Sequence, residues 1–465
     1  MKKILFFILS LAVFTGCDPK IDEFPASTNG LDFSNFVAVG NSMTAGYSDN
    51  ALYTSGQVNS IPNIMAGQFK LVGGGEFRQP LIGTEDGVGF QPIPGGFYFF
   101  PKLSLQILPE KDCQGNPTGI ASLKPAMVFN PPDQNALKQQ VMAAPTQTGP
   151  LNNMGVPGLN LLYSLAPGYG SSFGNPLFAR FDTNPLATVI GDAAAQKPSF
   201  FMLWLGSNDA LASALAGTDL GITPADTFAR YYPMAVGALV QSGNNPRGVL
   251  VNIPDITAIP YFNTISKSLP YNGVILTAEQ AAGLNTLYGL YGHPEIVWKE
   301  GQNPFVYEKS DGSWAQMEAG DLFLMTLPTD SVKCKGMGIA DQSAQPLPKP
   351  YPIPGKFVLD KGEQANLKDA ITKYNNIIRQ TAAALNLAHA DLNSYMKTLE
   401  SGIIFDGIKM NTTFITGGVF STDGVHLNPR GNAMAANYII QAINMHYGSG
   451  VPQANVTKYS GVVFP

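Results

Sequence analysis

The stretch NFVAVG, residues 35–40, decides how this chain folds. A short apolar run that stops at a glycine is typical of a strand buried on both faces of a parallel sheet. Two more runs of this kind follow at residues 200–205 and 248–253, and a weaker one spans residues 387–392. The sequence therefore predicts four strands of one parallel sheet.

Amphipathic segments alternate with these strands. In residues 363–385 the apolar side chains fall at helical spacing: Leu367, Ile371, Tyr374, Ile377 and Ile378. A final helix starts near Pro429 and turns four residues toward the core: Ala433, Ala436, Ile440 and Ile443. Such alternation predicts an α/β fold, in which a mainly parallel sheet carries helices on both faces. Ligands of these sheets bind beyond the carboxyl ends of the strands.

Two long stretches, about residues 51–150 and 260–355, are not needed to build this sheet. Because loops of that length are usually functional or form subdomains, we expect two large insertions. The second concentrates aromatic residues: Tyr288, Tyr291, Trp298, Phe305, Tyr307 and Trp314. These side chains either cover a cleft that holds sugars or acyl chains, or pack a small core of the insertion itself. We favour the second interpretation, because large aromatic side chains are mostly buried.

The composition argues against one class of function. The chain has 465 residues, of which 45% are hydrophobic and 13% are charged, and its net charge is -5. It contains no segment dense in Lys and Arg. A protein that binds nucleic acid needs a basic surface for the phosphate backbone, so nucleic acid is not an expected partner.

The N-terminus has the form of an export signal. Two lysines precede an apolar run at residues 4–14, and small residues then lead to Cys17. This pattern resembles a bacterial lipobox, which implies that residues 1–16 are a signal peptide and that Cys17 is diacylated. Residues 17–30 would then tether the protein to a membrane of the bacterial cell envelope, at the outer membrane or its periplasmic face. A secreted protein cleaved elsewhere and a single membrane anchor remain the alternatives.

Two cysteines are left if Cys17 is lipidated. Cys113 and Cys334 lie far apart in the sequence. An oxidising envelope compartment permits a disulfide between them, which would join two distant loops. Two separate free thiols are the alternative.

A serine, an aspartate and a histidine have the setting that a catalytic triad needs. Ser42 follows the first strand in the run GNSMTAGY, residues 40–47, and Asp423 and His426 share one loop, DGVH, before the final helix. A hydroxyl becomes a nucleophile when a base takes its proton and a carboxylate orients that base. The alternatives are a serine that caps the next helix and a surface turn closed by the aspartate.

Two further segments offer donors for an oxyanion. The run LGSND, residues 205–209, ends the second apolar stretch and presents the amide of Asn208. The run NMGVPG, residues 153–158, has the form of a tight turn in which Gly158 could present its N–H. Developing negative charge on oxygen requires donors of this kind. Each segment alone is equally typical of a turn or a helix cap.

Taken in chain order, these four segments resemble the sequence blocks of the SGNH hydrolase superfamily, also called the GDSL lipases and esterases. The run from residue 420, FSTDGVHLNPRGNA, is the most similar, and it also resembles lipoprotein members from Bacteroidetes-type bacteria. The resemblance implies a three-layer α/β/α, flavodoxin-like fold over residues 31–447, with residues 448–465 as a C-terminal tail. The block around Ser42 departs from Gly-Asp-Ser-Leu at Asn41 and Met43, and neither change removes a catalytic group.

The same resemblance implies a role for each residue. Ser42 is the nucleophile and, through its own N–H, one oxyanion donor; Gly158 and Asn208 complete the oxyanion hole. His426 is the general base, oriented by Asp423. The implied function is hydrolysis of acyl esters through an acyl-enzyme, without a metal or cofactor. Acetylated glycans, short-chain esters and lipids are all compatible substrates.

Other functions stay open at this point. The same triad could transfer an acyl group to an alcohol or a sugar, and the same fold could serve as a non-catalytic, ligand-binding envelope lipoprotein. Asp209 and Asp255 both follow strands, so a hydrolase with a carboxylate pair is a further alternative. The sequence has no Gly-x-Ser-x-Gly elbow, His-Glu-x-x-His zinc motif or Walker loop to favour another enzyme class.

Overall fold

The computed structural model describes residues 26–171, 174–243, 245–344, 347–405 and 407–465. The predicted signal peptide, Cys17 and most of the predicted tether lie outside these residues. None of the helices in the described ranges is both long enough and apolar enough to span a membrane.

The described residues form fourteen α-helices, short 3-10 turns and nineteen strands, and most of these strands lie in two-stranded sheets. The helices are α1 (Ser42–Ala45), α2 (Thr54–Val58), α3 (Ile61–Lys70), α4 (Gln134–Met142), α5 (Leu161–Leu165), α6 (Val189–Ala195), α7 (Asn208–Leu215), α8 (Ala225–Val240), α9 (Pro260–Ser268), α10 (Ala278–Leu290), α11 (Thr329–Lys335), α12 (Lys361–Ala384), α13 (Leu392–Ser401) and α14 (Pro429–Tyr447). The strands are β1 (Phe36–Gly40), β2 (Gly89–Ile93), β3 (Gly96–Phe100), β4 (Leu103–Lys111), β5 (Pro117–Met127), β6 (Asn153–Gly155), β7 (Phe200–Trp204), β8 (Arg247–Val251), β9 (Val274–Leu276), β10 (Gly301–Asn303), β11 (Val306–Glu308), β12 (Trp314–Gln316), β13 (Leu322–Phe323), β14 (Ile339–Asp341), β15 (Lys349–Tyr351), β16 (Val358–Leu359), β17 (Ala388–Ala390), β18 (Ile403–Phe405) and β19 (Ile408–Met410).

A five-stranded parallel sheet lies at the centre, in the order β6-β1-β7-β8-β17. Numbered along the chain within this sheet, the order is 2-1-3-4-5, which is that of flavodoxin-like doubly wound sheets. Val39 of β1 pairs with Met154 of β6 on one side and with Leu203 of β7 on the other. The four predicted strands are all confirmed as members of this sheet. The fifth, β6, lies where the sequence indicated only a turn, because a three-residue strand reading Asn-Met-Gly has no apolar run.

Both faces of the sheet are covered. Every residue of β1 and β7 is buried, and successive side chains of a strand point to opposite faces. Helices α3 and α14 pack on each other, while α8 packs against both α6 and α12. The predicted helices at 363–385 and after Pro429 are confirmed as α12 and α14. The protein is therefore an α/β structure with a sheet between helical layers, as the alternating pattern predicted.

The two long stretches fold differently from each other. Helix α3 lies within residues 51–150 but contributes Ile64, Met65 and Phe69 to the core under the sheet. The rest of that stretch forms the hairpins β2–β3 and β4–β5 and the helix α4, around a small cluster that includes Leu52, Val88, Phe99 and Leu137.

Residues 260–355 build a separate hydrophobic cluster. Of the aromatic side chains there, Tyr288, Trp298, Phe305 and Tyr307 are buried in this cluster, Trp314 packs against it, and Tyr291 is half exposed. Their main role is therefore to form the core of this stretch. A disulfide between Cys113 and Cys334, with Cα atoms 5.1 Å apart, joins the two long stretches.

Residues 448–465 pack onto the main body of the protein. Val451, Ala454 and Val456 are buried in its core. Asn437 of α14 fixes this segment, because its side chain donates to the Ala454 carbonyl and accepts from the Ala454 N–H. The C-terminal segment thus covers one side of α14.

Candidate active site

Ser42 stands at the carboxyl end of the central strand β1. Gly40 ends the strand, and the side chain of Asn41 caps α1 by accepting a hydrogen bond from the Met43 N–H at 3.1 Å. Since Asn41 is the cap, Ser42 is free of that role and opens the helix as its first residue. The Ser42 N–H lies in the first turn, where an α-helix supplies no carbonyl partner. Both the hydroxyl and the amide of Ser42 are thus available for a ligand.

Close packing fixes α1 on the sheet. A Cβ atom on Gly155 of β6 would lie 2.3 Å from the backbone nitrogen of Ala45, and one on Gly40 would lie 2.8 Å from the Trp204 carbonyl oxygen. Only glycine permits this approach at either position. The turn that carries Ser42 is therefore packed directly against β6 and β1, while Gly40 also allows β1 to lie close to β7.

His426 bridges Ser42 and Asp423. Its Nε2 lies 2.9 Å from Ser42 Oγ, and its Nδ1 lies 2.9 Å from Asp423 Oδ2. The loop that carries both residues is closed by the Ser421 N–H, which donates to the His426 carbonyl, and ends where Asn428 caps α14. The structure thus brings Ser42 together with His426, which lies 384 positions further along the chain, and with Asp423 of the same loop as His426.

The Asp423 carboxylate is buried and fully engaged. Its Oδ1 accepts from the backbone N–H groups of Val425 and His426, and its Oδ2 accepts from the N–H of Asn50 and from His426 Nδ1. Burial by itself raises the pKa of Asp423, but the charge of protonated His426 and these hydrogen bonds outweigh it and lower the pKa to about 2. The carboxylate is therefore ionised across the range in which proteins function.

This geometry defines what the three side chains can do. An ionised Asp423 accepts a hydrogen bond from the Nδ1–H of His426. This leaves Nε2 as an acceptor that faces the Ser42 hydroxyl. A serine whose proton can pass to such a base is an activated nucleophile, and the buried carboxylate stabilises the imidazolium that results. The arrangement suits nucleophilic attack on a carbonyl carbon.

Sequence reasoning missed the segment that joins Ser42 to the loop of Asp423 and His426. The Asp49 Oδ1 accepts from the N–H and the hydroxyl of Thr422, at 2.9 and 2.7 Å, while its Oδ2 accepts from the Tyr53 hydroxyl at 2.6 Å. The Asp49 N–H donates to Ser421 Oγ, and Ser48 Oγ donates to the Leu427 carbonyl. The available signal was the Asp49-Asn50 pair, because these residue types tolerate the left-handed backbone that both adopt.

The predicted oxyanion donors occupy two adjoining segments. Asn208 is the first residue of α7 and lines the same cavity as Ser42 and His426. One of its amide hydrogens is used, because Nδ2 donates to the Leu159 carbonyl at 2.9 Å. Gly158 lies in the loop after β6, is exposed, and is not among the described residues that line that cavity. Asn208 thus shares a cavity with Ser42, whereas the loop of Gly158 is linked to Asn208 through the carbonyl of Leu159.

Asp209 fixes the loop that follows Gly158. Its Oδ2 accepts from the Leu161 N–H at 2.9 Å, and its Oδ1 accepts from the Thr223 hydroxyl at 2.9 Å. Burial raises the pKa of Asp209 to about 6, although both hydrogen bonds act in the opposite direction. Asp255 has a different task, since its carboxylate caps a 3-10 turn at Thr257. Each of these carboxylates therefore has a structural partner of its own.

The other three histidines lie outside this site. His293 stacks on Trp314 with 3.8 Å between ring centroids, His389 lies in β17, and His446 lies in the last turn of α14. Across the described ranges, no group of three His, Cys, Asp or Glu side chains is arranged to hold a metal ion.

Comparison with known proteins adds little to this geometry. No protein-family profile matches the chain, and no curated protein matches it either. Among solved structures it is similar to a "putative GDSL-like lipase" from Parabacteroides merdae, with 11% identity and a TM-score of 0.33, over 89% of this chain and 98% of that chain. The basis for a function is therefore the geometry of the site itself.

Proposed function

We propose that the protein is a serine-dependent acyl-ester hydrolase of the SGNH type. The single observation that carries the proposal is the hydrogen-bonded chain from Ser42 through His426 to a buried, ionised Asp423. These three side chains lie at the carboxyl edge of a parallel sheet in flavodoxin-like order, which is where such a site is expected.

The proposed reaction has two halves. In the first, Ser42 Oγ attacks the ester carbonyl while its proton passes to His426 Nε2, and that proton then leaves with the alcohol as an acyl-enzyme forms. In the second, His426 takes a proton from water, the hydroxide attacks the acyl-enzyme, and the returning proton regenerates Ser42 as the carboxylic acid departs. Asp423 stays ionised throughout and fixes the tautomer of His426.

The proposed oxyanion hole combines three donors: the N–H of Ser42, the remaining amide hydrogen of Asn208 and the N–H of Gly158. The first two belong to residues that line one cavity with His426. The third requires the loop at Gly158, whose φ of 81° favours glycine, to present its amide toward Ser42. Replacing Asn208 by Ala should lower kcat about 10²- to 10³-fold while the protein stays folded, because one oxyanion donor is lost.

A covalent probe tests the nucleophile directly. We expect a fluorophosphonate to label the wild type at Ser42, and we expect hydrolysis of p-nitrophenyl butyrate to disappear in Ser42→Ala and in His426→Ala. Ser34→Ala is a matched control, because this exposed serine lies just before β1 and away from the cavity. Equal labelling of Ser42→Ala and the wild type would refute the assignment. Product analysis with an added alcohol separates hydrolysis from acyl transfer.

We further propose that Cys17 carries a lipid that attaches the enzyme to the bacterial cell envelope. The support is the sequence alone: a basic start, an apolar run and small residues before Cys17. Metabolic labelling with an alkyne fatty acid should mark the wild type and not Cys17→Ser. Labelling of both proteins would overturn this attachment and leave the proposed chemistry untouched.

A further inference from the structure

A cavity opens at Ser42 and His426 and continues into the protein. Its cavity volume is about 70 Å³, and the whole recess with its open mouth encloses about 650 Å³ of empty space. Its polar lining residues are Asn41, Ser42, Ser207, Asn208 and His426. Its other lining residues are Met43, Trp204, Leu211, Pro254, Ile256, Ile259, Leu392, Met396, Phe420, Val425, Leu427 and Ala435.

Polar and apolar groups are segregated within this cavity. The five polar residues are the triad members Ser42 and His426 and the residues in or beside the predicted oxyanion segments. Apart from His426, none of the described lining residues carries an ionisable side chain. Apart from the indole N–H of Trp204, which is buried in the protein, the side-chain donors and acceptors of the lining therefore belong to residues at or beside Ser42, Asn208 and His426, and the other lining side chains are apolar.

The apolar wall is built from rigid elements. Trp204 ends β7, Leu392 opens α13, and Ala435 lies in the second turn of α14; all three are at most 3% exposed. Because these side chains are packed into the main core, the wall exists before a substrate arrives. A preformed apolar cavity with polar groups at one end is typical of a site for an amphipathic ligand.

The wall discriminates between two kinds of ester substrate. A sugar ring placed against this wall would leave its hydroxyl groups without hydrogen-bond partners, which is costly at an apolar surface. Each methylene that an alkyl chain buries here would instead raise its binding affinity about fourfold. An acetyl group is too short to use most of the wall.

We propose that this cavity takes the acyl chain, so that the substrates are esters of fatty acids with several methylene groups rather than acetyl esters. The inference rests on the proposed hydrolase function. In this arrangement the carbonyl carbon lies at Ser42, the chain extends along Trp204 and the α13–α14 wall, and the alcohol points out of the mouth.

A chain-length series tests the inference. For p-nitrophenyl esters hydrolysed by the full chain, we expect kcat/KM to rise from acetate through butyrate to octanoate. Four additional buried methylenes give an increase of between about ten- and 200-fold from butyrate to octanoate. A flat or falling profile, with Ser42 still labelled by a small fluorophosphonate, would overturn the inference and leave the hydrolase proposal standing. A preference for octyl acetate over ethyl octanoate would also overturn it, because the cavity would then hold the alcohol.

Variants locate the effect in the cavity. Ala435→Leu fills the space beside α14, and we expect it to lower the octanoate-to-acetate ratio of kcat/KM at least tenfold. Gln441→Leu is the matched control, because it adds the same side chain to the same helix at an exposed position outside the cavity. Melting temperatures of both variants show whether either has unfolded. Met396→Phe offers a second, more tolerant obstruction, since Met396 lines the cavity but is only partly buried.

A binding measurement keeps the inference testable if no ester is cleaved. Calorimetric titration of Ser42→Ala with octanoate should show binding that acetate lacks and that the additional Ala435→Leu change abolishes. The absence of octanoate binding would overturn the inference. An unlabelled Ser42 together with octanoate binding would instead refute the hydrolase proposal alone.

Discussion

The backbone N–H of Asn50 donates a 2.8 Å hydrogen bond to Oδ2 of Asp423, the oxygen that also accepts from His426 Nδ1. The segment that follows α1, the helix that Ser42 opens, thus holds the carboxylate that is hydrogen-bonded to His426. Asp49 and Asn50 both have positive φ, 52° and 62°, and two such residues in a row are unfavourable unless their surroundings fix them. The contacts of Asp49 with Thr422 supply that fixation and set the distance between the two halves of the site.

Asp49→Ala should therefore impair catalysis more than binding. Removing the carboxylate frees the Thr422 N–H and the Tyr53 hydroxyl and loosens the loop that carries Asp423 and His426. Because a misplacement of about 1 Å can cost about 10²-fold in rate, we expect kcat to fall by about 10- to 100-fold with KM little changed. Steady-state kinetics with p-nitrophenyl butyrate measures this split.

Asp49→Asn is the control for this positioning role. Its remaining carbonyl oxygen can still accept from Thr422, so it should recover much of the lost kcat at similar thermal stability. An Asp49→Ala enzyme with wild-type kcat, or a fall in kcat that follows melting temperature alone across both variants, would contradict the role.

Gly155→Ala tests the close packing of α1, the helix that Ser42 opens, on β6. The added methyl group would approach the Ala45 nitrogen to 2.3 Å, so α1 or β6 must shift. We expect a loss of about 1–3 kcal/mol in the free energy of unfolding, as is usual for overpacking, together with lower activity. Urea denaturation measures the first and ester hydrolysis the second.

Gly67→Ala is the matched change at an open site. Gly67 lies in α3, and a Cβ atom there meets nothing within 4 Å. Alanine should stabilise this helix by about 0.5–1 kcal/mol, because glycine costs that much in a helix interior. Equal effects of the two substitutions would show that packing at Gly155 is looser than the structure indicates.

The sequence predicts those parts of the fold that leave a local pattern. The buried strands β1, β7 and β8 are continuous apolar runs, and α12 and α14 repeat apolar residues at helical spacing, so periodicity alone locates them. Periodicity does not reveal strand β6, because this strand has three residues and joins the sheet only through its register with β1. Helix α3 was assigned to an insertion, since nothing local indicates that it packs on α14.

The site divides in the same way. Ser42, Asp423 and His426 could be proposed from chemistry-bearing residues in strand-to-helix turns. The contact between Asp49 and Thr422 could not, because the two residues are 373 positions apart and only the folded chain brings them together. The apolar wall of the cavity was equally hidden, since its residues come from seven separate parts of the chain.

Asp423→Asn should alter both rate and the pH dependence of stability. The amide cannot hold the same tautomer of His426, so kcat should fall by about 10⁴-fold. A carboxyl whose pKa is lowered to about 2 in the folded protein stabilises it fully above the unfolded-state value near 4, and that contribution is lost as pH falls toward 2. The stability difference between wild type and variant should therefore shrink by about 2 kcal/mol from pH 5 to pH 2. Urea denaturation across this range measures it, and a constant difference would argue against the paired carboxylate.

Asp209→Asn should show the opposite pH dependence. Burial raises the pKa of Asp209 to about 6, so the folded protein holds this proton more tightly than the unfolded chain, whose value is near 4. Stability contributed at this position is therefore present below pH 4 and is lost as pH rises through about 6. The amide keeps an acceptor for the Leu161 N–H and a donor for Thr223 Oγ1 without carrying charge.

Relative to the wild type, Asp209→Asn should thus gain up to about 3 kcal/mol in the free energy of unfolding between pH 4 and pH 7, the equivalent of a pKa change of about two units. The measurement is urea denaturation of both proteins at pH 4, 5, 6 and 7. Parallel stability curves would mean that Asp209 titrates alike in the folded and unfolded chains. Burial of the Asp209 carboxylate would then have no free-energy cost. The position of the loop from Gly158 to Leu161 beside Asn208 would need another explanation.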